Sequence, residues 1–141
     1  MLLTEEQQKQ VVEAIKAAEK NTSGEVRVHI ESNCTHDEVL DRAKEVFVSL
    51  GLHRTERRNG VLFYVATEDR KFAVIGDEGI DNVVPEDFWN STRDVMRTHF
   101  RNSAFAEGLC AGITLAGHQL KYFFPYQDDD TNELPDEISF G

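Results

Sequence analysis

The sequence is short of basic residues, and it has few cysteines and no long apolar run. Its 141 residues include 15 lysines and arginines against 26 aspartates and glutamates, for a formal charge of -11. This balance argues against nucleic acid or an anionic membrane surface as a partner and favours cations. Since no apolar stretch approaches the roughly 20 residues of a membrane-spanning helix and the first residues lack signal-peptide features, we expect a cytoplasmic protein without direct membrane insertion.

Cysteine and histidine are too sparse for a disulfide framework or a zinc site. Cys34 and Cys110 are the two cysteines, and the five histidines include no pair at i, i+4. Both thiols are therefore expected to be reduced. The sequence does contain 40% apolar residues and nine phenylalanines, which suits one compact domain with a core of ordinary size.

The hydrophobic pattern predicts four helices and three strands. Helical spacing of apolar residues marks the helices, alternation marks the first strand, and a continuous apolar run marks the second as a central strand covered on both faces. In chain order we expect a helix at about 4–20, a strand at 25–32, a helix at 36–50, strands at 61–66 and 71–76, and helices beginning at Pro85 and Ser103.

This order of elements predicts a small three-layer α/β/α sandwich. A right-handed parallel crossover would join the first two strands, an antiparallel hairpin would add the third, and helices would cover both faces of the mixed sheet. We assign this α/β domain to residues 1–125. Residues 126–141 are acidic with little to bury, so we expect a tail that is flexible or laid along the surface.

The predicted topology sends two groups of acidic side chains to opposite ends of the sheet. Glu31, Glu68 and Asp69 follow the carboxyl ends of the two parallel strands, where ligands usually bind. The hairpin reverses the third strand, so the acidic loop "GDEGID" after it lies at the other end, beside the basic segment "HRTERRNG". One end or the other is therefore expected to hold a ligand.

The acidic loop is the first choice for a metal site. Asp77, Glu78, Asp81 and, further along, Asp87 offer carboxylates, and calcium accepts the irregular geometry of a loop. The loop lacks the acid spacing of an EF-hand. A second explanation is local, with Asp81 capping a turn and Glu86 and Asp87 interacting with a helix dipole. Glu31, Glu68 and Asp69 are the second choice for a metal.

The basic segment offers an anion site on the same edge as Asp77. Arg57 and Arg58 could hold a phosphoryl group next to a carboxylate-bound cation. The simpler explanation is a solvated loop that balances an acidic surface. Because the sequence has no Cys-x5-Arg loop, no DxDx motif and no histidine cluster, it does not support a covalent phosphatase mechanism.

Several segments together resemble the TPM domain family. They are "TSGEVRVHI", "RNGVLFYVATEDRKFAVIGDEGI", "FRNSAFAEGLCAGI" and "NELPDEISF", and the resemblance covers about residues 4 to 125. It implies an α/β/α sandwich, and members of the family are described as binding divalent cations, calcium among them, with some plant members described as acid phosphatases. The same strand order follows from the hydrophobic pattern.

Three functional hypotheses remain open from the sequence. The first is a divalent-cation-binding module, with calcium or else magnesium, that assembles or regulates an unknown protein partner. The second is a weak metal-assisted phosphatase acting on phosphate monoesters, with Arg57 and Arg58 as the candidate catalytic residues. The third is a protein-interaction domain without a metal site.

Overall fold

Five helices and a four-stranded mixed sheet make up the described residues of the computed structural model, which are 3–126 and 135–141. The helices are α1 (Glu5–Glu19), α2 (Val39–Ser49), α3 (Glu78–Asp81), α4 (Asn90–Phe100) and α5 (Phe105–Leu120). The strands are β1 (Glu25–Glu31), β2 (Gly60–Ala66), β3 (Lys71–Gly76) and β4 (Ser139–Phe140), and a 3-10 turn covers Leu52–Arg54.

The strand order in the sheet is β3-β2-β1-β4. β1 and β2 are parallel over seven residue pairs, from Glu25 opposite Gly60 to Glu31 opposite Ala66. β3 runs antiparallel to β2, with Gly76 opposite Val61. The predicted parallel crossover and hairpin are therefore confirmed, and the end of β3 lies at the same edge of the sheet as the start of β2.

Two apolar cores lie on opposite faces of the sheet, which confirms the three-layer sandwich. On one face, α1, α4 and α5 bury residues such as Ile15, Met96 and Leu109 against Val28 and Phe63 of the sheet. On the opposite face, three residues of α2 pack against the second core, and its members are Ala43, Val46, Phe47, Leu52, Leu62, Tyr64, Ala66 and Ala73. Because both faces of β2 are covered, its sequence is apolar without alternation.

The small residues of α5 allow close packing against neighbouring helices. A Cβ atom at Gly108 would lie 2.4 Å from a ring carbon of Phe100, and one at Gly112 would lie 2.6 Å from Cγ of Met96. Both neighbours belong to α4. The closest contacts at these two glycines are therefore between helices.

Two helix starts differ from the prediction. Pro85 begins no helix: the Phe88 amide donates to the Pro85 carbonyl and the Asn90 amide to the Asp87 carbonyl, which forms turns before α4 begins at Asn90. These turns bring Phe88 and Trp89 into the core, and that burial outweighs the helix-starting preference of proline. The acids at 86 and 87 therefore do not lie in the first turn of α4.

Ser103 does not cap α5 either. Its φ angle is 58°, and its hydroxyl oxygen accepts a hydrogen bond from Arg70 at 3.1 Å. Ala104 is the residue that precedes the helix, and it provides no side-chain cap. The packing of Phe105 and the rest of the helix face determines where α5 begins.

The described part of the acidic C-terminal segment lies along an edge of the sheet. β4 pairs in parallel with β1, with Ser139 opposite His29 and Phe140 opposite Ile30. Ile138 packs against the larger core. The remainder of the predicted tail, residues 127–134, lies outside the described residues.

The structure bears on the state of the two cysteines and on membrane-spanning helices. Cys34 and Cys110 are both free thiols, as predicted. Among the described residues, no helix is both long enough and apolar enough to cross a membrane.

Candidate functional site

The acidic loop after β3 folds into the short helix α3, with Asp77 at its amino end. The Asp77 side chain accepts a hydrogen bond from the Glu78 amide at 2.8 Å, and the Asp77 amide donates to the Gly60 carbonyl at 2.9 Å. Asp77 is 7% exposed. Its carboxylate is therefore held in one place at the mouth of the sheet.

Arg58 binds the carboxylate of Asp77 through two nitrogens. Its Nε donates to Oδ2 at 2.6 Å, its Nη2 donates to Oδ1 at 2.9 Å, and its Nη1 donates to Glu78 at 2.9 Å. These bonds raise the pKa of Arg58, with the Asp77 hydrogen bond as the main cause. Arg58 has a φ of 51°, a left-handed conformation that is uncommon for a residue with a side chain.

Gly79 lets the loop pack directly on the backbone of the basic segment. Its amide donates to the Arg58 carbonyl at 2.9 Å. A Cβ atom there would lie 2.3 Å from the Arg57 carbonyl oxygen and 2.5 Å from that of Arg58. The position therefore requires glycine because of this close approach.

Asp77 and Asp81 share the lining of one cleft. The cleft has a volume of about 510 Å³ and lies between α2, the end of β3 and the start of α4, with Lys44, Trp89 and Arg93 also in its walls. Burial, and then the negative charge of Asp77, raise the pKa of Asp81. Within ranges 3–126 and 135–141, no side chain is found hydrogen-bonded to the Asp81 carboxylate. Asp81 thus adds negative charge that Arg58 does not balance.

The other two first-choice residues do not line the cleft. Glu78 is exposed and its carboxylate binds Arg58, and Asp87 is exposed and is not part of the cleft lining. Arg58 lines the cleft, whereas Arg57 is an exposed residue outside it. Two of the four proposed metal ligands and one of the two proposed phosphate-binding arginines therefore line the cleft.

The cleft offers few carboxylate oxygens for a hard cation. Among the residues that the structure describes, no group of three or more His, Cys, Asp or Glu side chains lies close enough to hold an ion. Two carboxylates are nevertheless sufficient for a partly hydrated cation, because magnesium retains several waters and calcium accepts water among its six to eight oxygen ligands. Asp77 and Asp81 are the two acids that line the cleft, so they are the residues that could contribute to such a site.

The second-choice metal ligands are engaged elsewhere. The Asp69 carboxylate accepts from the Cys34 amide at 2.6 Å and from the Asn33 side chain at 3.1 Å. The Glu68 backbone amide donates to the carbonyl of Ser32, the residue after β1, at 2.8 Å. These two acids order the loop after β1 and do not converge with Glu31.

Glu31 belongs to a buried network that the sequence did not predict. Arg42 of α2 donates to it twice, from Nε at 2.9 Å and from Nη2 at 2.8 Å, and the Tyr64 hydroxyl also donates to it. A ring nitrogen of His29 lies 3.2 Å from the same carboxylate. These bonds, led by those from Arg42, lower the pKa of Glu31 to about 2 despite its burial.

The pKa values of the residues around Glu31 are shifted in the directions expected of a closed hydrogen-bonded network. Burial lowers the pKa of His29, while burial and the bond to Glu31 raise the pKa of Tyr64. The alternation of β1 was a partial signal, because it put His29 and Glu31 on the same face. Arg42 comes from a different element, and no sequence spacing connects it to Glu31.

The fold and the cleft define a small α/β/α module with an acidic site at one end of its sheet. The family model of the TPM domain matches residues 1–119. The chain belongs to the TPM domain family, as the sequence resemblance predicted.

Solved structures agree with this assignment. The BA42 protein from the psychrophilic bacterium Bizionia argentinensis, solved by NMR, is 48% identical with a TM-score of 0.92, over 99% of this chain and 95% of that chain. The N-terminal domain of a protein from P. gingivalis is 21% identical, with a TM-score of 0.70 over 89% and 82% of the two chains.

A third solved structure shares the fold at lower identity. The N-terminal domain of the cg2496 protein from Corynebacterium glutamicum is 10% identical, with a TM-score of 0.66 over 96% of this chain and 79% of that one. At 21% and 10% identity, this domain and the P. gingivalis domain support the fold alone. No curated protein matches the chain.

Proposed function

We propose that this TPM domain is a divalent-cation-binding module in which Asp77 and Asp81 supply the carboxylate ligands. The observation that carries the proposal is that these two acids line one cleft while a single arginine, Arg58, pairs with one of them. A cation would balance the charge of Asp81 and reduce its repulsion with Asp77. Calcium is our first choice and magnesium the second.

The contact with Arg58 sets an upper limit on the affinity. Both oxygens of Asp77 already accept hydrogen bonds from Arg58, so a cation must share or replace them. Few protein ligands and a competing cation place the site among weak calcium sites, with dissociation constants on the order of 10⁻⁴ to 10⁻³ M. Water would complete the coordination.

A protein partner is the second element of the proposed function. Leu40 and Val48 line the same cleft from α2, and they are 49% and 58% exposed. Their positions along one face of the helix, with Lys44 between them, offer an apolar surface beside the acidic pair. This surface favours an assembly or regulatory role, and it would also suit an interaction domain that needs no metal.

Titration of the full chain with calcium and with magnesium tests the proposal. Calorimetry should detect saturable binding to the wild type, and Asp81→Asn should weaken it about tenfold or more, equivalent to about 1.4 kcal/mol. Asp87→Asn and Asp69→Asn are matched controls, because they remove one carboxylate outside the cleft, and they should leave the affinity unchanged.

Three results would contradict this assignment. Absence of saturable binding would rule out the cation-binding hypothesis and leave the hypothesis of a protein-interaction domain without a metal site. Loss of binding in Asp69→Asn but not in Asp81→Asn would move the site to the other end of the sheet. Hydrolysis of a chromogenic phosphate monoester that Arg58→Ala abolishes would show that the domain is an enzyme.

A further inference from the structure

The edge of β1 that faces away from β2 is covered by the segment 135–141. In this segment β4 has two residue pairs in register with β1, and the Gly141 amide adds one hydrogen bond to the Ile30 carbonyl at 3.0 Å. A strand this short contributes few ladder bonds. The side chains of the segment must therefore provide much of what holds it on the edge.

Ser139 connects the segment to the polar face of β1. Its hydroxyl lies 2.9 Å from Nδ1 of His29, and Nε2 of the same ring lies 3.2 Å from Oε1 of Glu31. The Glu31 carboxylate is ionised at neutral pH and only accepts hydrogen bonds, because the bonds from Arg42 lower its pKa to about 2. In the neutral ring Nε2 therefore carries the hydrogen, and Nδ1 accepts from the Ser139 hydroxyl. The edge thus selects a hydroxyl donor at this position.

The neighbours of Ser139 add further selectivity. Ile138 is half-buried against the larger core, whereas Phe140 is 47% exposed. A Cβ atom at Gly141 would lie 2.2 Å from Oε1 of Glu31 and 2.7 Å from Nε2 of His29. Both atoms are held by hydrogen bonds, so a side chain at position 141 would disturb the network. The edge therefore fits an apolar residue, a hydroxyl residue, a loosely constrained residue and a glycine, in that order.

The chain that leads to the segment is longer than its path requires. Pro125 bridges Thr22, which precedes β1, and Ser139 pairs with His29 inside β1. The path from Thr22 to His29 is at most roughly 23 Å at about 3.3 Å per residue, and the chain from Pro125 to Ser139 can extend to roughly twice that length. The segment thus has the length to reach the same edge of an adjacent molecule while the bridge at Thr22 stays in place.

We propose that the edge of β1 is a strand-acceptor site for the segment 135–141 of a second copy of this chain, and that two copies pair by exchanging these segments. Exchange preserves the contacts of the segment, because each edge receives the same side chains from the other molecule, and it is a low-cost route to a dimer. Addition of a strand to a sheet edge is also a common mode of peptide recognition. A strand of another protein would need the same hydroxyl and glycine in the same order.

The balance between the closed single chain and the exchanged pair should depend on concentration. A short linker gives a segment an effective concentration on the order of 1 mM at its own edge. Sedimentation of the full chain without divalent cations should therefore show monomer at about 10 µM and a growing dimer fraction toward about 1 mM. The double variant Ile138→Glu/Gly141→Val should stay monomeric throughout, because its segment fits neither its own edge nor that of a second copy.

A mixture of isotope-labelled and unlabelled full chains identifies the contact in the dimer. At about 1 mM, isotope-filtered NMR should show NOEs between molecules that join Phe140 to Ile30 of β1. The dispersion of the same spectra shows whether the double variant is folded. A chain that stays monomeric at about 1 mM, or a dimer that the folded double variant also forms, would overturn the exchange.

The double variant also provides an edge whose own segment does not dock. A synthetic peptide with the sequence of residues 135–141 should bind to it, and peptides with Ser139→Ala or Gly141→Val should bind about tenfold more weakly or less. A peptide with Pro135→Ala is the matched control, since Pro135 is exposed, and it should bind like the unchanged peptide. Equal binding of all four peptides, or no binding of any, would overturn the assignment of the edge as a selective acceptor.

Discussion

In the described part of the chain, Glu31 and Asp77 are each held by an arginine through two nitrogens, and their surroundings differ. Glu31 binds Arg42 inside a network where a tyrosine and a histidine take up further contacts, and Glu31 is 4% exposed. Asp77 binds Arg58, whose side chain is 39% exposed, and it shares an open cleft with Asp81. The first pair is enclosed by its partners and the second is accessible.

This difference in exposure determines whether an arginine–carboxylate pair mainly stabilises the fold or is available to bind an ion. A buried carboxylate with all its partners in place is costly to disturb, because removing one partner leaves an uncompensated charge. An accessible pair beside an unbalanced acid contributes less to stability and can exchange partners with an ion. The same Arg–carboxylate contact therefore has a structural role at one end of the sheet and a proposed binding role at the other.

The largest expected effect is at the enclosed pair. Arg42→Ala should lower the free energy of unfolding by about 3–5 kcal/mol, because it leaves Glu31 buried without its main counter-charge. Urea unfolding measures this. Arg97→Ala is the matched control, since Arg97 is 48% exposed and pairs with Asp94 on the helix surface, and its effect should stay below about 1 kcal/mol. Equal losses in the two variants would show that burial does not distinguish the pairs.

The pH dependence of stability should also report the enclosed pair. The pKa of Glu31 is lowered from 4.5 to about 2, so its stabilising contribution is complete above about pH 4.5 and is lost as the pH falls toward 2. The slope from this one group is at most about 1.4 kcal/mol per pH unit.

Glu31→Gln should remove this slope, although it also lowers stability at neutral pH. Urea unfolding of both proteins at several values between about pH 2.5 and about pH 6, which covers most of the titration range of Glu31, compares the two curves. Parallel curves would mean that Glu31 keeps an ordinary pKa in the folded protein.

Disturbing the backbone contact at Gly79, beside the accessible pair, should have an intermediate effect on stability. Gly79→Ala places a methyl group against the carbonyls of Arg57 and Arg58, and we expect a loss of about 1–3 kcal/mol in thermal or urea unfolding. Gly24→Ala is the control, because the nearest atom to its Cβ would lie at an ordinary 3.5 Å. If both variants are equally stable, α3 can move away from the basic segment at no cost.

The smallest expected changes in stability are at the two cleft acids, Asp77 and Asp81, and they should differ between the two. Asp77→Asn weakens the bonds from Arg58, with an expected loss of about 1–2 kcal/mol. Asp81→Asn should change stability by less than about 0.5 kcal/mol, or raise it slightly, because it removes repulsion and no observed hydrogen bond. Urea unfolding without divalent cations makes this comparison, and a larger loss in Asp81→Asn would mean that this acid supports the fold.

Much of the fold could be predicted because it depends on patterns within single elements. The alternation of β1 and the continuous apolar run of β2 each reflect which faces are covered, and the hairpin follows from a short turn. The reversal of β3 then places Asp77 near Arg58 without further information. The start of α4 was missed, because the burial of Phe88 and Trp89 outweighs the local preference of Pro85.

Contacts between distant elements were not predictable in the same way. The bond from Arg42 to Glu31 depends on how α2 lies over the sheet, and no spacing in the sequence records that distance. β4 is two residues long, too short to have a periodicity, and it is a strand only because β1 provides a partner.

The left-handed backbone of Arg58 has a consequence for how variants of this loop should be interpreted. Glycine at position 58 would relax the main chain by about 1 kcal/mol while it removed the guanidinium group. These opposite contributions could cancel, so a variant with unchanged thermal stability could still lack the bond to Asp77. A screen that ranks substitutions by melting temperature would then miss the residue that pairs with Asp77 in the cleft.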